Sequence, residues 1–526
     1  MTTVTLILAA AAVGFGLATW WRLPAVPLLI LIGLGLRLFD VFPSQPTLHN
    51  ALLLGVTFLV FFVGTELDVK RVGGQRRAAL AVGVAHVTVL GSCGLLAAIL
   101  LRFDGLAAVY LAVAVTASST LSVVTLLRQR QQAFEPFARL VIGILLLQDV
   151  LVIFMLPVLT RATEGWGAIA GGVAATLALM GLAGICIRWV SPWLLLRLNL
   201  DEESSLLAVL AILFTFAGLA HQMGLPLVSG AFLAGVSLSG FPVSGVVRGQ
   251  LSSLADFFLA VFFVALGASV SIPSLQHLLL EGLLLSGVLL VTPPIVMLLV
   301  RKAGFTARAS IETAHLLAQC GEFSLVVALL GIERGHIGAN VLAVIVLMVV
   351  VTTTAMPLLT HEAVTWQLMR RLPGKRRKTP AVRPRDHVLL LGCGRHMREV
   401  LDNLLTEQQQ LVVVDEDAGV IAEMQERGLT AVRGDGADYR VLRRVGAREA
   451  RVILSTMRRL RDHERLLHFV SGPKVLVRVF EPAEAERCEA LGATVVVEAE
   501  AAAREFDAWF AAQTWNEAQP PVAQSS

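Results

Sequence analysis

Residues 142–156 have the sequence IGILLLQDVLVIFML, in which one acid, Asp149, follows Gln148 and is otherwise surrounded by apolar side chains. Apolar stretches of this kind recur along the chain, which is 56% hydrophobic and only 16% charged. Soluble proteins carry about a quarter charged residues. The composition therefore excludes a purely soluble protein, and the repeated stretches predict helices that span a bilayer.

Thirteen apolar stretches of roughly spanning length lie in the first 361 residues. They are at about residues 4–20, 24–39, 50–67, 78–101, 106–127, 136–160, 167–189, 203–222, 225–240, 254–270, 276–300, 308–331 and 337–361. The first stretch has no basic residue before it and is followed by Trp20, Trp21 and Arg22. This pattern indicates a retained interfacial anchor rather than a cleaved signal peptide.

The loops between these stretches differ in basic residues on the two sides of the membrane. Alternate loops carry fourteen Lys and Arg on one side and four on the other. Short cytoplasmic loops accumulate basic residues. We therefore expect a multi-pass protein of the inner (plasma) membrane with its N-terminus outside, and an odd helix count places the C-terminal part in the cytoplasm.

The distribution of basic residues along the chain differs between regions, and we distinguish four of them. We assign residues 1–361 to a transmembrane domain, 362–385 to a basic linker, 386–512 to a cytoplasmic domain and 513–526 to a disordered tail. The linker is expected to lie in solvent near anionic lipid. The net charge of +4 does not indicate a nucleic-acid partner.

Two polar clusters interrupt otherwise apolar predicted helices. The fifth helix contains Thr116–Thr120 (TASST) in mid-span, and the twelfth contains Gln319–Glu322 (QCGE). If the seventh helix is a connector, each cluster lies in the fifth helix of a six-helix unit, and the two units have opposite orientations. Transporters with inverted repeats bind substrate where interrupted helices of the two repeats meet. We therefore predict a polytopic α-helical membrane protein with two crossing discontinuous helices.

The buried acid of the sixth helix is the main functional signal. Ionisable residues inside spans are rare because their burial is costly, and they mark ion pathways. A carboxylate that takes either a proton or a cation is the simplest physical basis of antiport. With Asp149 alone, one proton exchanges for one monovalent cation without net charge movement. The alternative is that Asp149 is satisfied by Gln148 or by a helix end and is only structural.

The two polar clusters supply the other candidates for the ion site. Glu322 is the second acid deep in a span, and it either tunes the site or closes a polar network. Small polar residues serve as cation ligands or as packing contacts between helices. The candidate set besides Asp149 and Gln148 is Ser118, Ser119, Thr120, Gln319 and Glu322.

After residue 386 the pattern changes to short β-branched runs that alternate with charged amphipathic segments. The runs are at residues 387–392, 411–415, 429–433, 451–455, 474–479 and 493–497. Six strands with intervening helices predict a parallel, doubly wound α/β domain of the Rossmann-like type.

The first of these strands leads into a glycine-rich turn. Gly392 and Gly394 follow the strand, and Asp415 ends the next strand 23 residues after Gly392. This spacing is typical of dinucleotide binding, in which glycines admit the phosphates and the acid binds the ribose hydroxyls. The third position of the motif is Met397 instead of Gly or Ala, so a domain that keeps only the fold is the alternative. Asp435 follows the third strand, where a contact to the base edge is expected.

These motifs together resemble the Kef-type branch of the monovalent cation/proton antiporters, the cation/proton antiporter-2 group. The resemblance covers nearly the whole chain. It is carried by GTELD (64–68), SST (118–120), QD (148–149), GAFLAG (230–235), AQCGEF (318–323) and GCGR (392–395). Members of this group join a thirteen-helix antiporter to a cytoplasmic nucleotide-binding domain of the TrkA-N type.

The resemblance implies a homodimer in which a core domain moves like an elevator, with Asp149 as the exchanging carboxylate. It implies K+ as the favoured cation, because Gln148 precedes the acid where electrogenic sodium exchangers have a second Asp, and Na+ as the other possibility. It also implies AMP or NAD(H) as a regulator bound at Gly392, Gly394 and Arg395, together with Asp415.

Two other function classes are compatible with such a cytoplasmic domain. A potassium channel needs a loop of backbone carbonyls such as TVGYG, whereas the only tyrosines, Tyr110 and Tyr439, lie in no such loop. A non-transporting nucleotide sensor would make Asp149 dispensable. No substrate domain for hydride chemistry follows the glycine-rich turn, so we do not expect an enzyme.

Overall fold

The structure is a computed structural model and divides into two compact units, Met1–Pro373 and Gly374–Ser526. It describes residues 2–21, 24–39, 45–66, 75–130, 132, 135–193, 201–239, 245–271, 275–371, 384–394, 397, 401, 402, 404 and 410–512. The predicted disordered tail, half of the predicted linker (372–383), Leu67, Asp68 and Arg395 lie outside the described residues.

Every regular element described in the first unit is a helix. The helices are α1 (Thr2–Trp21), α2 (Ala25–Leu38), α3 (Gln45–Glu66), α4 (Arg76–Leu100), α5 (Gly105–Thr116), α6 (Thr120–Gln129), α7 (Pro136–Thr160), α8 (Trp166–Ile185, continued by a π-helical turn Cys186–Val190), α9 (Glu202–Gln222), α10 (Leu227–Leu238), α11 (Gly245–Ser269), α12 (Leu275–Val291), α13 (Pro293–Lys302), α14 (Ala307–Leu316), α15 (Glu322–Glu333), α16 (Ala339–Leu359) and α17 (Glu362–Arg371).

The lengths of these helices agree with a membrane location. Among the described residues, nine helical stretches are long and apolar enough to cross a bilayer, and three further apolar helices are shorter. The predicted twelfth span is divided into α14 and α15, each too short to cross alone. The prediction of a polytopic helical membrane protein is confirmed, whereas the number thirteen stays a prediction.

Close helix packing accounts for two of the glycine-containing motifs. Helix α3 packs against α10 and α11. A Cβ atom on Gly64 would collide with the backbone of Phe232 and Gly235, and one on Gly235 would collide with the backbone of Phe61 and Gly64. Small residues at such positions let helices approach within a bilayer, where van der Waals packing drives association.

Both predicted helix interruptions are present in the structure. Helix α5 ends at Thr116 and α6 begins at Thr120, with Ala117 and Ser119 in extended backbone conformations. Helix α14 ends at Leu316 and α15 begins at Glu322. The two breaks contact each other, since the Gly321 N–H donates a 2.8 Å hydrogen bond to the carbonyl oxygen of Ala117.

Gly321 is the point of closest approach between the two breaks. A Cβ atom there would lie 2.6 Å from the carbonyl carbon of Ser118 and 2.6 Å from the backbone nitrogen of Ser119. Backbone atoms cannot move aside as a flexible side chain does. The crossing of the two breaks therefore requires glycine at this position.

The second unit is an α/β domain with a six-stranded parallel sheet. Its strands are β1 (Val388–Leu391), β2 (Leu411–Asp415), β3 (Thr430–Arg433), β4 (Val452–Ser455), β5 (Lys474–Val479) and β6 (Thr494–Val497), in the order β3-β2-β1-β4-β5-β6. The described helices are α18 (Ala418–Glu426), α19 (Tyr439–Arg444), α20 (Leu460–Phe469), α21 (Pro482–Ala490) and α22 (Glu498–Ala512). The six predicted strands are confirmed, and the sheet order reverses direction at β1, which is where such folds bind ligands.

We expect Gly321→Ala to destabilise the transmembrane unit by about 1–3 kcal/mol, because the added methyl group overpacks a backbone crossing. Gly218→Ala in α9 is the control, since a Cβ there meets no atom within 4 Å. The measurement is thermal unfolding of the detergent-solubilised protein. Equal unfolding midpoints for the two variants would contradict the close approach.

Candidate functional site

The carboxylate of Glu322 joins the two interrupted helices. Its Oε2 atom accepts a 2.8 Å hydrogen bond from the hydroxyl of Ser119, and its Oε1 atom accepts one of 3.2 Å from the backbone N–H of Leu121. Ser119 is the N-cap of α6, while Glu322 lies in the first turn of α15. Helix N-termini carry unpaired N–H groups and partial positive charge. One carboxylate therefore serves both half-helices at the crossing.

Asp149 lies in α7 with an exposed fraction of 0%. Its Oδ2 atom accepts a 2.9 Å hydrogen bond from the hydroxyl of Thr120, the first residue of α6. Its Oδ1 atom has no hydrogen-bond partner, and among the described residues no basic side chain forms an ion pair with it. A buried carboxylate without a charge partner is costly, so this atom is open to a proton or a cation.

The remaining residues of the predicted ion site lie at the same crossing. The Ser118 hydroxyl donates to the carbonyl oxygen of Leu317 at 3.1 Å, from one break to the other. The side-chain amide of Gln319 donates to the carbonyl oxygen of Ser119 at 3.3 Å, and its Oε1 atom has no partner. The structure thus brings together the ion-site residues predicted in the fifth, sixth and twelfth spans. Gln148 is the exception.

Gln148 is buried but is bonded to α4 instead of to the crossing. Its Nε2 atom lies 2.7 Å from Nδ1 of His86, which is buried in α4. The other polar atoms of this pair, Gln148 Oε1 and His86 Nε2, have no hydrogen-bond partner. His86 is a polar residue that the sequence analysis missed, although a lone histidine in the predicted span 78–101 was a visible signal.

A cavity of about 590 Å³ approaches the crossing from one side of the unit. Its walls come from the beginning of α3, the turn between α9 and α10, the end of α15 and the beginning of α16. The lining is largely apolar, with His49, His221 and Glu333 among its polar residues. It extends along α15 to Val326, which is about one helical turn from Glu322.

The predicted nucleotide site lies at the carboxyl ends of β1, β2 and β3. The Asp415 carboxylate accepts hydrogen bonds from the backbone N–H of Cys393 at 2.7 Å and of Asp417 at 2.8 Å. Burial raises the pKa of Asp415, and these two hydrogen bonds oppose the shift. The acid therefore holds the glycine-rich turn against β2.

The glycines of this turn have different surroundings. Gly392 has a φ of +84°, and a Cβ there would lie 2.8 Å from the hydroxyl oxygen of Thr456. Gly394 is exposed, and a Cβ there would meet no atom within 4 Å. Met397 is buried in a small hydrophobic core with Cys393 and other residues. The Met that replaces Gly or Ala in the motif thus contributes its side chain to this core.

Asp435 lies at the same edge of the sheet. Its Oδ1 atom accepts a 2.8 Å hydrogen bond from the backbone N–H of Ala437, which forms the turn after β3. The backbone N–H of Gly434 donates to the carbonyl oxygen of Asp415 at 3.0 Å. The described candidates for nucleotide binding therefore meet at one end of the sheet, as parallel strands require.

Comparison with known proteins assigns both units. The family described as sodium/hydrogen exchanger, transmembrane, matches residues 5–366, which is more than half of the chain. The chain belongs to the sodium/hydrogen exchanger family. A TrkA-N domain matches residues 388–499. The protein is thus a multi-pass cation/proton antiporter with a soluble C-terminal TrkA-N domain, and the prediction of antiport is confirmed at that level.

Three solved structures are similar to parts of this exchanger. The sodium proton antiporter MjNhaP1 from Methanocaldococcus jannaschii is 14% identical over 70% of this chain and 98% of its own, with a TM-score of 0.51, which supports the fold alone. The TrkA-N domain of the inner membrane protein ybaL from Escherichia coli is 22% identical over 24% of this chain and 98% of its own, with a TM-score of 0.24. The NAD(P)-binding domain of an exopolyphosphatase-related protein from Archaeoglobus fulgidus is 22% identical over 24% of this chain and 100% of its own, with a TM-score of 0.23.

Ser119→Ala is expected to destabilise the exchanger by about 2–4 kcal/mol, because it removes a helix cap and a hydrogen bond to a buried carboxylate. Ser253→Ala is the matched control, since the Ser253 hydroxyl is exposed and bonded only to the carbonyl oxygen of Gly249 in its own helix. Thermal unfolding in detergent compares the two. A loss no larger than that of the control would show that Glu322 does not depend on Ser119.

Proposed function

We propose that this exchanger swaps one monovalent cation for one proton at Asp149, with K+ favoured and Na+ as the second candidate. The observation that carries the proposal is the state of this acid. It is fully buried, it accepts one hydrogen bond, from Thr120, and its Oδ1 atom has no partner. Such a carboxylate requires a positive partner whenever it is ionised.

Proton and cation compete for Asp149 in this mechanism. A proton neutralises the carboxyl group, and a cation neutralises the carboxylate. Because one acid takes one charge at a time, each cycle moves one cation against one proton and no net charge. The Thr120 hydroxyl stabilises the ionised form by donating to it, and its contact places the acid beside the N-terminus of α6, where partial positive charge adds to this effect.

Glu322 is assigned a supporting role in the same site. Both of its oxygens accept hydrogen bonds at the crossing, from Ser119 and from Leu121. These donors stabilise the carboxylate in place at the crossing, so we assign the exchanged proton and cation to Asp149. Oxygen atoms of Ser118, Ser119 and Gln319 are the proposed additional ligands of the dehydrated cation, since small monovalent ions replace their water shell with protein oxygens.

The choice of K+ rests on the resemblance to Kef-type antiporters, in which Gln precedes the exchanging acid as Gln148 precedes Asp149. Exchange of Na+, the alternative, would follow the same mechanism. Measuring which cation competes with protons distinguishes the two.

Movement and assembly follow from the resemblance to Kef-type antiporters. The exchanger works as a homodimer in the inner membrane, with its N-terminus outside and its TrkA-N domain in the cytoplasm. The cavity beside α15 is one of the two alternating access routes. The core helices α4–α7 and α12–α16 carry the bound ion across by an elevator movement.

Asp149→Asn should abolish exchange, because an amide takes up no proton at neutral pH and carries no negative charge to balance a buried cation. Everted vesicles or proteoliposomes with an imposed pH gradient provide the assay, with KCl or NaCl added to dissipate the gradient. In the unsubstituted protein the apparent KM for the cation should rise in proportion to proton concentration while the maximal rate stays constant.

Asp104→Asn is the control for this change, since Asp104 is an exposed residue at the start of α5. It should exchange like the parent protein. Cation-dependent dissipation that persists in Asp149→Asn at the parental rate would refute the assignment of the acid.

The TrkA-N domain is proposed to control transport by binding an adenine nucleotide, AMP or NAD(H). The support is the edge formed by β1, β2 and β3, where the exposed Gly394 leaves open space beside a half-buried acid, Asp415. Phosphates approach the glycine-rich turn, and the Asp415 carboxylate accepts the ribose hydroxyls. Arg395 is assigned to the phosphates and Asp435 to the base.

Gly394→Val should prevent the response of transport to AMP and NAD(H) without changing transport in their absence, because the side chain fills the space assigned to phosphate. Ala483→Val on the exposed face of α21 is the control for an added side chain in the same domain. Transport in proteoliposomes and thermal shifts of the full chain are measured with each nucleotide. An unchanged nucleotide response in Gly394→Val would refute this binding mode.

A further inference from the structure

The hydrogen bond between His86 and Gln148 takes no part in the exchange mechanism described above. His86 has an exposed fraction of 2% and Gln148 one of 1%. Their helices, α4 and α7, approach closely one turn earlier, where a Cβ atom on Gly83 would lie 2.7 Å from Cδ2 of Leu147. The glycine thus lets the imidazole of α4 reach the residue next to Asp149.

The chemistry of the two side chains fixes their roles in this bond. The Nε2 atom of Gln148 belongs to an NH2 group, which only donates, so Nδ1 of His86 accepts and the imidazole carries its proton on Nε2. The carbonyl oxygen of Gln148 is then left without a partner in the protein. If the amide were turned over, this oxygen would be bonded to His86, and the NH2 group would have no hydrogen-bond partner.

We propose that His86 is a positioning residue that holds the Gln148 amide with its carbonyl oxygen free for the cation, and thereby sets the discrimination between K+ and Na+. This inference rests on the proposed exchange at Asp149. K+ and Na+ have the same charge, so a carboxylate alone separates them poorly. The number and placement of neutral oxygens near the acid decide how well each ion's lost hydration is replaced.

The contribution of His86 depends only on the lone pair of Nδ1. In His86→Leu the amide NH2 loses its acceptor, so the amide is free to turn and present its NH2 group, which repels a cation. In His86→Asn the side-chain oxygen stands near the position of Nδ1 and accepts the same hydrogen bond. A role in packing alone would not distinguish these variants in this way.

The test measures exchange of K+ and of Na+ by the full-length protein in proteoliposomes under an imposed pH gradient. In His86→Leu we expect the apparent KM for K+ to rise about tenfold, the loss typical of one hydrogen-bonded contact. The KM for Na+ should change by a different factor, and the maximal rate should change less than twofold. His86→Asn should return the ratio of the two KM values to within about twofold of the parent.

A double variant separates positioning from general damage. Gln148→Leu should change the KM ratio in the same direction as His86→Leu and at least as far, because it removes the carbonyl oxygen itself, and adding His86→Leu to Gln148→Leu should give no further change. Thr88→Leu, an exposed polar residue of the same helix, is the control and should leave the ratio unchanged. His86→Met, with a flexible side chain of similar size, replaces His86→Leu if that variant does not fold.

Additive effects in the double variant, or an unchanged ratio in both His86→Leu and His86→Met, would overturn the inference. The Asp149→Asn variant distinguishes failure of the positioning role of His86 from failure of the exchange mechanism. If it abolishes exchange of both cations while the His86 variants keep the parental ratio, only the positioning role is wrong. If Asp149→Asn still exchanges, the site itself is misassigned.

Discussion

The candidate ion site depends on the backbone contact between Gly321 and the Ser118–Ser119 peptide. Two chain segments without helical hydrogen bonds meet there in a region that the family places within the membrane. Such segments are tolerated at membrane depth only when protein groups satisfy their backbone. Here the Gly321 N–H bonds to the carbonyl oxygen of Ala117, and the carboxylate of Glu322 takes the N–H of Leu121. Because Gly321 has no side chain, the two breaks lie close enough to supply each other with hydrogen-bond partners.

This arrangement gives the two buried acids different chemistry although both lie at the crossing. Glu322 accepts a hydrogen bond at each oxygen, from Ser119 and from Leu121, so its charge stabilises the meeting of two helix N-termini. Asp149 accepts one hydrogen bond, from the Thr120 hydroxyl, and its Oδ1 atom has no partner. The sequence alone left Glu322 between a tuning role and a structural one. Its partners favour the structural one, because a carboxylate already paired with fixed donors gains little from a mobile ion.

The sequence predicted the architecture well because its signals are local. Alternation of β-branched runs with amphipathic segments located the strands of the TrkA-N domain to within about a residue, and small polar clusters in mid-span located both helix breaks. The seven predicted ion-site residues are all buried. What the sequence did not contain is which of them face each other, since that depends on packing between helices distant in the chain.

His86 and Met397 illustrate this limit. The partner of His86 is 62 residues away in the sequence, on a helix that approaches α4 beside Gly83. A lone histidine in a span does not indicate such a partner. Met397 departs from the dinucleotide-binding pattern, and only the fold shows that it belongs to a hydrophobic core with Cys393. The sequence motif identifies the position, but the contacts of the side chain at that position are known only from the structure.

The C-terminal end of the transmembrane unit, which leads into the linker, is connected to the crossing by side-chain contacts. Helix α17, the last described helix before the linker residues 372–383, packs against α14. The guanidinium of Arg308, in the first turn of α14, lies 5.0 Å from the ring centre of Trp366 in α17. Arg130, which follows α6, donates hydrogen bonds of 2.7 and 3.2 Å to the carbonyl and hydroxyl oxygens of Thr360.

These contacts bind α17 and the residue that ends α16 to one half of each interrupted helix. Helix α6 begins at Thr120, which bonds Asp149, and α14 leads into the break at Gly321. The contacts of Arg130 and Arg308 therefore connect the C-terminal end of the transmembrane unit to both sides of the crossing, α6 through Thr360 and α14 through α17.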